Sequence, residues 1–436
     1  MNIRFYHAKI LLSEQNHRFR IVEGELWVKG NIICYVGDGS DVSEVCREDE
    51  ILIWDREIDV KGNLLMPGFK NAHTHTAMTF LRSFADDLPL QKWLYDCVFP
   101  NEARLSEEDA CTFNLLGILE YLTSGITADF DMYIYPYAMA RAARDSGFRS
   151  VLTSGLNDFT TSVEEMEETY YRINEMDARL SFLPGFHAEY TTSMERMEGL
   201  AKLASRLKAP VWTHNSETEK EVRECIKRWG KTPTQLTEGL GMYEYGGGGY
   251  HCIWFCDEDF AVFKRHGMTV VTNPSSNLKL ASGIAPIKRF WEEGIPIAIG
   301  TDGPASNNCL DMFREMFLTS ALAKVREKDA QCIPAEEILY MAVSAGAHAM
   351  GLFDCDSLSV GKKADLIIID LNQPNMQPEH NIVKNLVYSG SKQNVKMTMV
   401  DGRILYEDGA FFIGTSPQEI YAKANEIVRR ICYDYY

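Results

Sequence analysis

The sequence predicts an α/β protein: a (β/α)8 barrel, or TIM barrel, joined to a small β-sandwich domain built from both ends of the chain. Between residues 64 and 360, short β-prone runs alternate with helical patterns, which is typical of parallel β/α units. Residues 1–63 and 361–412 instead contain short alternating runs broken by glycine, as antiparallel strands do. We therefore expect a barrel inserted into the sandwich, and a helix in residues 413–436 that packs on the body.

The barrel prediction depends on the number of strands. About eight runs over roughly 300 residues look like strands, close to what such a barrel requires. The predicted barrel strands are 64–71, 125–130, 148–154, 180–186, 211–214, 249–255, 269–273 and 295–300. Helix signals lie between them: the segment from Ser106 to Asp109 is typical of a helix start, and leucines follow at helical spacing up to Gly125. The predicted terminal strands are 21–28, 31–36, 57–60, 364–370 and 395–406.

Composition narrows the class of protein. The 436 residues are 45% hydrophobic and 24% charged, as in ordinary soluble globular proteins. The net charge of −18 argues against nucleic acid or an anionic membrane as a partner, since both need a basic surface. We find no signal peptide and no apolar run that could span a bilayer, and the 11 cysteines have no paired spacing. The sequence thus predicts a cytoplasmic protein with reduced thiols.

His73 and His75 are the strongest functional signal. They stand two residues apart after the apolar run that begins at Leu64. Residues i and i+2 of a strand point to the same face, so the two imidazoles would project side by side as ligands for a transition metal. Such a pair alone also arises by chance on solvated strand edges.

Other candidates occupy comparable places along the chain. His187 follows the fourth predicted strand, His214 the fifth and Asp302 the eighth, while His251 begins the sixth. Because the carboxyl ends of barrel strands form one face, we expect these side chains to meet there. A hydrogen-bonded core position is the commoner explanation for any one histidine. The ordered set, which places five of the ten histidines at such positions, favours a metal centre instead.

The metal ligands that we predict are His73, His75, His214 and Asp302, with one coordination position left for water. A metal ion in such a site lowers the pKa of water toward neutrality. Asp302 precedes Gly303, which would permit a sharp turn, although a plain Asp-Gly turn is the alternative explanation.

Glu217 follows His214 by three residues and could shuttle a proton between water and a substrate nitrogen. The alternative is a carboxylate favoured by the positive end of the following helix. Glu219, Glu221 and Glu224 fit that alternative better.

Several segments together resemble the amidohydrolase superfamily. They run from Pro67 to Met78, from Asn277 to Leu280, from Gly300 to Gly303 and from Gly361 to Leu366. The chain is most similar to the branch of 5′-methylthioadenosine/S-adenosylhomocysteine deaminases and related chlorohydrolases, over nearly its whole length.

This resemblance implies a single zinc or iron ion, with manganese as a further possibility, held by His73, His75, His214 and Asp302. It implies that Glu217 is the proton shuttle and that His251 contacts the attacking water or the tetrahedral intermediate. No lysine at a strand end suits a carbamylated bridge, which fits one ion rather than two.

The resemblance also implies substrate contacts. Glu102 matches a residue that holds ribose hydroxyls, and His187 and Ser306 match substrate positions. One position departs from the pattern: Ser154 stands where the S-adenosylhomocysteine enzymes place an arginine for the substrate carboxylate. Arg149 lies nearby within a predicted strand, where a role at the edge of the core is equally plausible. A nucleoside without an amino-acid tail, a free base or another aminated heterocycle becomes the favoured substrate.

The predicted function is therefore metal-dependent hydrolytic deamination of an aminated purine nucleoside or a related heterocycle. Asp302 would accept the proton of water, Glu217 would protonate the ring nitrogen, and His251 would stabilise the developing charge. The alternatives are a deaminase of guanine, cytosine or a pterin, a chlorohydrolase of an aminated triazine, and a catalytically inactive metal-binding scaffold. By analogy with such barrels we expect a homo-oligomer.

Overall fold

The computed structural model of the chain describes residues 1–39, 53–84 and 86–432. Three β-sheets organise this part of the molecule: a mixed sheet from the two ends and two parallel sheets from the middle. The strands are β1 (Asn2–Ser13), β2 (Phe19–Lys29), β3 (Ile32–Gly37), β4 (Arg56–Asp59), β5 (Leu64–Pro67), β6 (Phe69–Thr74), β7 (Ile126–Met132), β8 (Arg149–Thr153), β9 (Leu180–Leu183), β10 (Gly185–Phe186), β11 (Val211–Asn215), β12 (Gly247–His251), β13 (Thr269–Thr272), β14 (Ile297–Ile299), β15 (Leu366–Ile369), β16 (Val395–Val400), β17 (Arg403–Glu407) and β18 (Ala410–Phe411).

Helices connect the parallel strands and close the chain. They are α1 (Leu90–Lys92), α2 (Phe99–Glu102), α3 (Glu107–Thr123), α4 (Pro136–Ser146), α5 (Val163–Asn174), α6 (Met194–Leu207), α7 (Glu219–Trp229), α8 (Pro233–Gly239), α9 (Asp257–His266), α10 (Pro274–Lys279), α11 (Ile287–Glu292), α12 (Met312–Glu327), α13 (Ala335–Tyr340), α14 (Gly346–Ala349), α15 (Ile382–Tyr388) and α16 (Pro417–Ile431). Shorter 3₁₀ or π-helical turns lie at Gln15–His17, Thr76–Leu81, Trp93–Val98, Glu189–Thr191, Met341–Ala345, Pro374–Met376 and Lys392–Asn394. Within the three described ranges, no helix is both long and apolar enough to cross a bilayer.

The two parallel sheets confirm the α/β class. One has the order β6-β7-β8-β9 and the other the order β10-β11-β12-β13-β14. Every predicted barrel strand overlaps an observed strand. Helix α3 begins as predicted, because the Ser106 hydroxyl accepts from the Asp109 amide and the Asp109 carboxylate accepts from the Ser106 amide.

Two of the predicted strands are each interrupted and form two shorter strands. Residues 64–71 form two strands, of which β5 pairs with β1 and β15 in the terminal sheet and only β6 belongs to a parallel sheet. Both strands are fully buried, so the apolar pattern does not show the break at Gly68. Residues 180–186 are interrupted at Pro184, which has no amide hydrogen for the ladder.

The terminal sheet has the order β18-β17-β16-β15-β5-β1-β2-β3, with β4 on β1. Strands from both ends of the chain therefore share one sheet, and the long strand β1 is missing from the sequence prediction. A separate apolar cluster lies on this sheet and includes Phe5, Leu26, Leu366 and Met399. At the other end of the chain, α16 packs on α3, where Arg430 pairs with Asp109.

Candidate metal centre and active site

Three predicted ligands meet at the ends of parallel strands. His73 lies in β6, His75 follows that strand directly, and His214 lies in β11. One ring nitrogen from each lies within 4.8 Å of the other two. The strand order brings β6 and β11 into separate sheets, so this meeting depends on how the two sheets face each other.

The hydrogen bonds of two of these rings fix their tautomers. Nδ1 of His75 lies 2.6 Å from the Met132 carbonyl, and Nδ1 of His214 lies 2.7 Å from the His187 carbonyl. A carbonyl only accepts, so each Nδ1 carries the proton and each Nε2 presents a lone pair. The two Nε2 atoms are 3.2 Å apart and face each other. Two lone pairs at this distance suit a cation bound between or beside them.

The third histidine has the same requirement. His73 is fully buried, stacks on Tyr250 with ring centroids 3.7 Å apart, and has no hydrogen-bond partner for either ring nitrogen within the described chain. Burial and the neighbouring imidazoles hold the pKa of His73 well below its usual value, so the ring is neutral and can bind a metal. Tetrahedral zinc with Zn–N bonds of 2.0–2.1 Å places its nitrogen ligands about 3.3 Å apart, close to the spacing of the His75 and His214 nitrogens. The donor set fits a transition metal.

Asp302 supplies a carboxylate at the same point. Its Oδ1 lies 3.3 Å from Nε2 of His75 and 3.7 Å from Nε2 of His73. Burial acts to raise the pKa of Asp302, but His75, His251 and hydrogen bonds from Ser276 and Gly303 outweigh it and lower the pKa. Asp302 is therefore an anion beside the three imidazoles.

Glu217 and His251 lie beside Asp302 and the three histidines. Nε2 of His251 lies 3.9 Å from Oε2 of Glu217 and 4.0 Å from Oδ2 of Asp302. Nδ1 of His251 donates to Oδ1 of Asn277 at 2.7 Å. Burial lowers the pKa of His251, but the two carboxylates outweigh burial and the net shift is upward. Burial raises the pKa of Glu217, which favours a carboxyl group that can hold and release a proton.

Glu221 has a role beyond the predicted one. It lies in the first turn of α7, as the helix-start interpretation expects, and it is also buried, with its two oxygens accepting from the amides of Ser216 and Glu217, at 2.9 and 2.8 Å. It thereby holds the backbone that presents Glu217. The signal in the sequence is Thr218 three residues before Glu221, which forms a capping box at the start of α7.

The backbone at two site residues adopts the left-handed region. Asp302 has φ of 60° and His251 has φ of 70°, values that side-chain-bearing residues rarely adopt and that concentrate at functional sites. The chain turns after Gly303, whose carbonyl accepts from the Ser306 and Asn307 amides, but the positive φ lies at Asp302 and not at Gly303. A Cβ there would meet Cβ of His75 and the Met78 sulfur, both at 3.1 Å, so close approach explains this glycine.

The site lies at the bottom of a cavity of about 580 Å³, a volume that suits a nucleoside-sized ligand. The predicted substrate residues Glu102, His187 and Ser306 all line it, together with Glu217. Burial raises the pKa of Glu102 to about 7, and the adjacent Tyr133 hydroxyl offsets this only in part. Burial and the nearby His75 lower the pKa of His187 to about 3, so this ring is neutral. Its carbonyl also orients His214.

Arg149 and Ser154 do not line this cavity. Arg149 is buried and makes a bidentate pair with Asp365, at 2.7 and 3.0 Å, and a contact with Asp401 at 3.3 Å. It therefore joins β8 to the terminal sheet, and the alternative of a substrate contact is excluded.

Sequence reasoning missed the outer part of the cavity. Its walls include apolar and aromatic side chains from the helical segment that spans α1, a π-turn and α2, and from the loop after β8. They are Leu90, Trp93, Leu94, Tyr95, Val98, Phe99 and Phe159. Only their apolar character and the acidic Glu102 at the end of the segment distinguish them in the sequence, and neither feature indicates a cavity.

Comparison with known proteins places the chain in a family. The model of the amidohydrolase family matches residues 64–405. A 5-methylthioadenosine/S-adenosylhomocysteine deaminase of Caldanaerobacter subterraneus is 36% identical over 421 residues, which cover 93% of each chain. A 5′-deoxyadenosine deaminase of Methanothermobacter thermautotrophicus is 40% identical over 388 residues, 87% of this chain and 90% of the relative.

Solved structures agree in fold. The crystal structure of an adenosine deaminase from Xanthomonas campestris with bound zinc is 29% identical, covers 99% of this chain and 98% of its own, and has a TM-score of 0.91. An atrazine chlorohydrolase from Arthrobacter aurescens complexed with zinc has a TM-score of 0.87 at 19% identity and covers 98% of this chain and 100% of its own. The chain belongs to the amidohydrolase family, as the sequence motifs predict.

Proposed function

We propose that this amidohydrolase is a metal-dependent deaminase that hydrolyses the exocyclic C–N bond of an adenosine-like nucleoside and releases ammonia. One observation supports it above the others: buried Nε2 lone pairs of His75 and His214 face each other at 3.2 Å beside the carboxylate of Asp302, with Glu217 and His251 in the next layer. This arrangement combines a place for a cation with an acid–base pair. The names of the relatives, a 5-methylthioadenosine/S-adenosylhomocysteine deaminase and a 5′-deoxyadenosine deaminase, point to the same reaction.

The proposed ligands are His73, His75, His214 and Asp302. Zinc is the favoured ion, with iron or manganese as alternatives, because two of the similar crystal structures contain zinc and because imidazole with one carboxylate suits it. When bound, such an ion activates water as a nucleophile at neutral pH. Every other part of the reaction belongs to the side chains around it.

Each of the three catalytic side chains has a proposed task. Asp302 accepts a proton from the attacking oxygen at a carboxylate oxygen, since its lowered pKa keeps it ionised, and passes it to the amino group, which leaves as ammonia when the C–N bond breaks. Glu217 delivers a proton to the ring nitrogen next to the carbon under attack, as its raised pKa allows. His251 lies within 4.0 Å of both carboxylates and stabilises negative charge that develops between them.

The remaining assignments concern the substrate. Glu102, buried in the cavity wall, is proposed to accept hydrogen bonds from the ribose hydroxyls, and His187 and Ser306 to contact the nucleoside. Because Glu102 and Ser306 are buried, their polar contacts with a bound substrate are stronger than in water.

We also propose that the two parallel sheets close into one (β/α)8 barrel. Support comes from bonds between the first and last strands: the Asp302 amide donates to the His73 carbonyl at 3.0 Å, and the Asn71 side chain bonds both the amide and the hydroxyl of Thr301. At the second junction between the two sheets, Leu156, which follows β8, forms a parallel β-bridge with Phe186 of β10. The division into a barrel of residues 64–360 and a sandwich of residues 1–63 and 361–412, the separate helical segment 413–436, the homo-oligomer and the cytoplasmic location stay predictions.

An ammonia-release screen tests the function. Zinc-, iron- and manganese-loaded protein is given adenosine and its 5′-substituted derivatives, and separately guanine, cytosine, a pterin and a chlorotriazine. We expect ammonia from the adenosine derivatives. Chloride release from the triazine without ammonia from any nucleoside would contradict the proposal.

Glu217→Gln tests the proton shuttle. The variant keeps the shape of the side chain and should keep the metal, but turnover should fall by about 10²–10⁴-fold because a positioned acid–base group is lost. Glu219→Gln is the matched control, since Glu219 is exposed at the start of α7. Turnover of the Glu217 variant at the wild-type rate would remove Glu217 from the mechanism.

A further inference from the structure

The cavity has two ends of opposite chemical character. At the buried end lie the histidines, Asp302 and Glu217, whereas Tyr95 and Phe159 mark the mouth, with 49% and 75% of their surface exposed. Tyr95 packs edge-to-face on Phe99 with ring centroids 5.4 Å apart. A nucleoside whose base reaches the buried end therefore extends its far end toward these aromatic side chains.

Charge is distributed unevenly over the walls. The described residues that line the cavity include the carboxylates Glu102, Glu217 and Asp302 but no lysine and no arginine. The Asn157 amide at the mouth is occupied within its own loop, donating to the Gly155 carbonyl at 3.0 Å and accepting from the Phe159 amide at 2.8 Å. An anionic group held in this space would meet no cation among those residues.

Three cations near the cavity, Arg228, Arg196 and Lys279, are engaged by acidic or polar partners. Arg228 makes two close contacts with Glu189 at 2.6 and 2.9 Å, and Arg196 lies 3.5 Å from Asp158. Lys279 pairs with Asp86 and also donates to the Ala305 carbonyl at 3.1 Å. Turning any of them toward a ligand would break an existing ion pair.

We propose, resting on the deaminase function above, that the mouth is a subsite for an uncharged, apolar substituent at the 5′ position of the nucleoside. The enzyme accepts 5′-deoxy and 5′-alkylthio nucleosides and discriminates against those with a 5′ carboxylate or phosphate. The reason is that aromatic and aliphatic walls gain by covering an apolar group, whereas a carboxylate loses water there and gains no paired charge.

The test separates charge from length. The value of kcat/KM is measured for 5′-methylthioadenosine, S-adenosylhomocysteine, adenosine 5′-monophosphate and 5′-butylthioadenosine, which has a tail of comparable length to that of S-adenosylhomocysteine but no charges. We expect kcat/KM for both alkylthio nucleosides to exceed that for the two nucleosides with a 5′ carboxylate or phosphate by about tenfold or more, since a charged group that meets apolar walls loses part of its hydration and gains no paired charge.

Two results would overturn the subsite: equal kcat/KM for S-adenosylhomocysteine and 5′-methylthioadenosine, or rejection of the butylthio compound together with S-adenosylhomocysteine, which would show that space alone decides. In both, deamination of 5′-methylthioadenosine leaves the proposed function intact. If no adenosine derivative releases ammonia, the proposed function fails, and the subsite with it.

The second measurement asks whether an added cation improves the use of S-adenosylhomocysteine. Phe159→Arg and Tyr95→Arg each place a cation at the exposed mouth. At least one should raise the ratio of kcat/KM for S-adenosylhomocysteine to that for 5′-methylthioadenosine by about tenfold. Phe159→Gln, the matched control, removes the ring without adding charge and should not raise the ratio. No rise in either arginine variant would overturn the explanation by charge.

Discussion

At the buried end of the cavity the polar side chains come from strand ends and most are held by hydrogen bonds, whereas the mouth is apolar and comes from a short helical segment and loops. His75, His214, His251 and Asp302 each have at least one bond that sets ring or carboxylate orientation. Tyr95 and Phe159 are half or more exposed and are held mainly by packing. The difference indicates that the buried end sets the reaction and the mouth sets the choice of substrate.

The largest expected effect is at the buried end. His73→Ala removes a ring whose nitrogens have no other use in the described structure, so metal content should fall to near zero. Activity should fall by more than the about 10²–10⁴-fold attributed to an acid–base group. Metal analysis with an ammonia assay tests this, and His266→Ala is the control because that ring bonds Glu238 away from the cavity. Full metal occupancy in His73→Ala would contradict the proposed ligand set.

The stability of the fold is expected to depend on the buried ion pair between Arg149 and Asp365, outside the cavity. Arg149→Met leaves the Asp365 carboxylate buried without its bidentate partner and should lower the free energy of unfolding by about 3–5 kcal/mol. The ratio of kcat/KM among nucleosides should not change, because Arg149 does not line the cavity. Denaturant unfolding measures the loss. The double variant Arg149→Met/Asp365→Asn should recover part of it, and no recovery would mean that the buried charge is not the cause.

The same pair makes a prediction about pH. Burial acts to raise the pKa of Asp365, but Arg149 outweighs it and the pKa is lowered in the folded chain. A lowered folded pKa stabilises the protein above the unfolded pKa of about 3.9, and this contribution is lost as pH falls through the folded value. The difference in stability between wild type and Arg149→Met should therefore be largest near neutral pH and shrink in acid. A difference that grows as pH falls would reverse the sign of the argument.

A smaller effect is expected where the buried end is supported from behind. Glu221→Gln replaces one of two oxygens that accept from the Ser216 and Glu217 amides, and so shifts the carboxyl group of Glu217. We expect kcat to fall by about tenfold to a hundredfold, with KM and metal content little changed, because misplacement by about 1 Å is costly to proton transfer. Glu219→Gln again serves as the control. A change in KM alone would assign Glu221 to substrate binding rather than to positioning.

The buried end of the cavity can be predicted from the sequence more fully than the mouth. His73, His75, His214 and Asp302 can be located because strand ends in a parallel α/β fold point to one face, and the family motifs mark them. The family and the α/β class are confirmed on that basis. The distances between these four side chains could not be predicted, because those distances depend on how two separate sheets face each other.

The mouth could not be predicted because no periodic pattern marks it. Trp93 and Tyr95 lie in a π-turn between two very short helices, a local geometry without a propensity signal. The split of residues 64–71 between two sheets was hidden for a related reason: all of those residues are buried, so neither face of the strand shows a polar alternation. The supporting role of Glu221 could not be predicted, because a capping residue and a buried support have the same sequence signature.

The smallest expected effect is at the mouth, in Tyr95→Ala. Half of this side chain is already exposed, so its loss removes only part of the apolar surface offered to a 5′ substituent. We expect KM for 5′-methylthioadenosine to rise by about threefold to tenfold, which corresponds to roughly 1 kcal/mol of buried apolar area. The value of kcat should change little, because contact with a remote substituent is made equally in the ground state and the transition state. Tyr171→Ala, a tyrosine of similar exposure outside the cavity, is the control. If kcat falls as steeply in Tyr95→Ala as in Glu221→Gln, the mouth takes part in aligning the reacting atoms, and the division between a reaction end and a selection end would have to be given up.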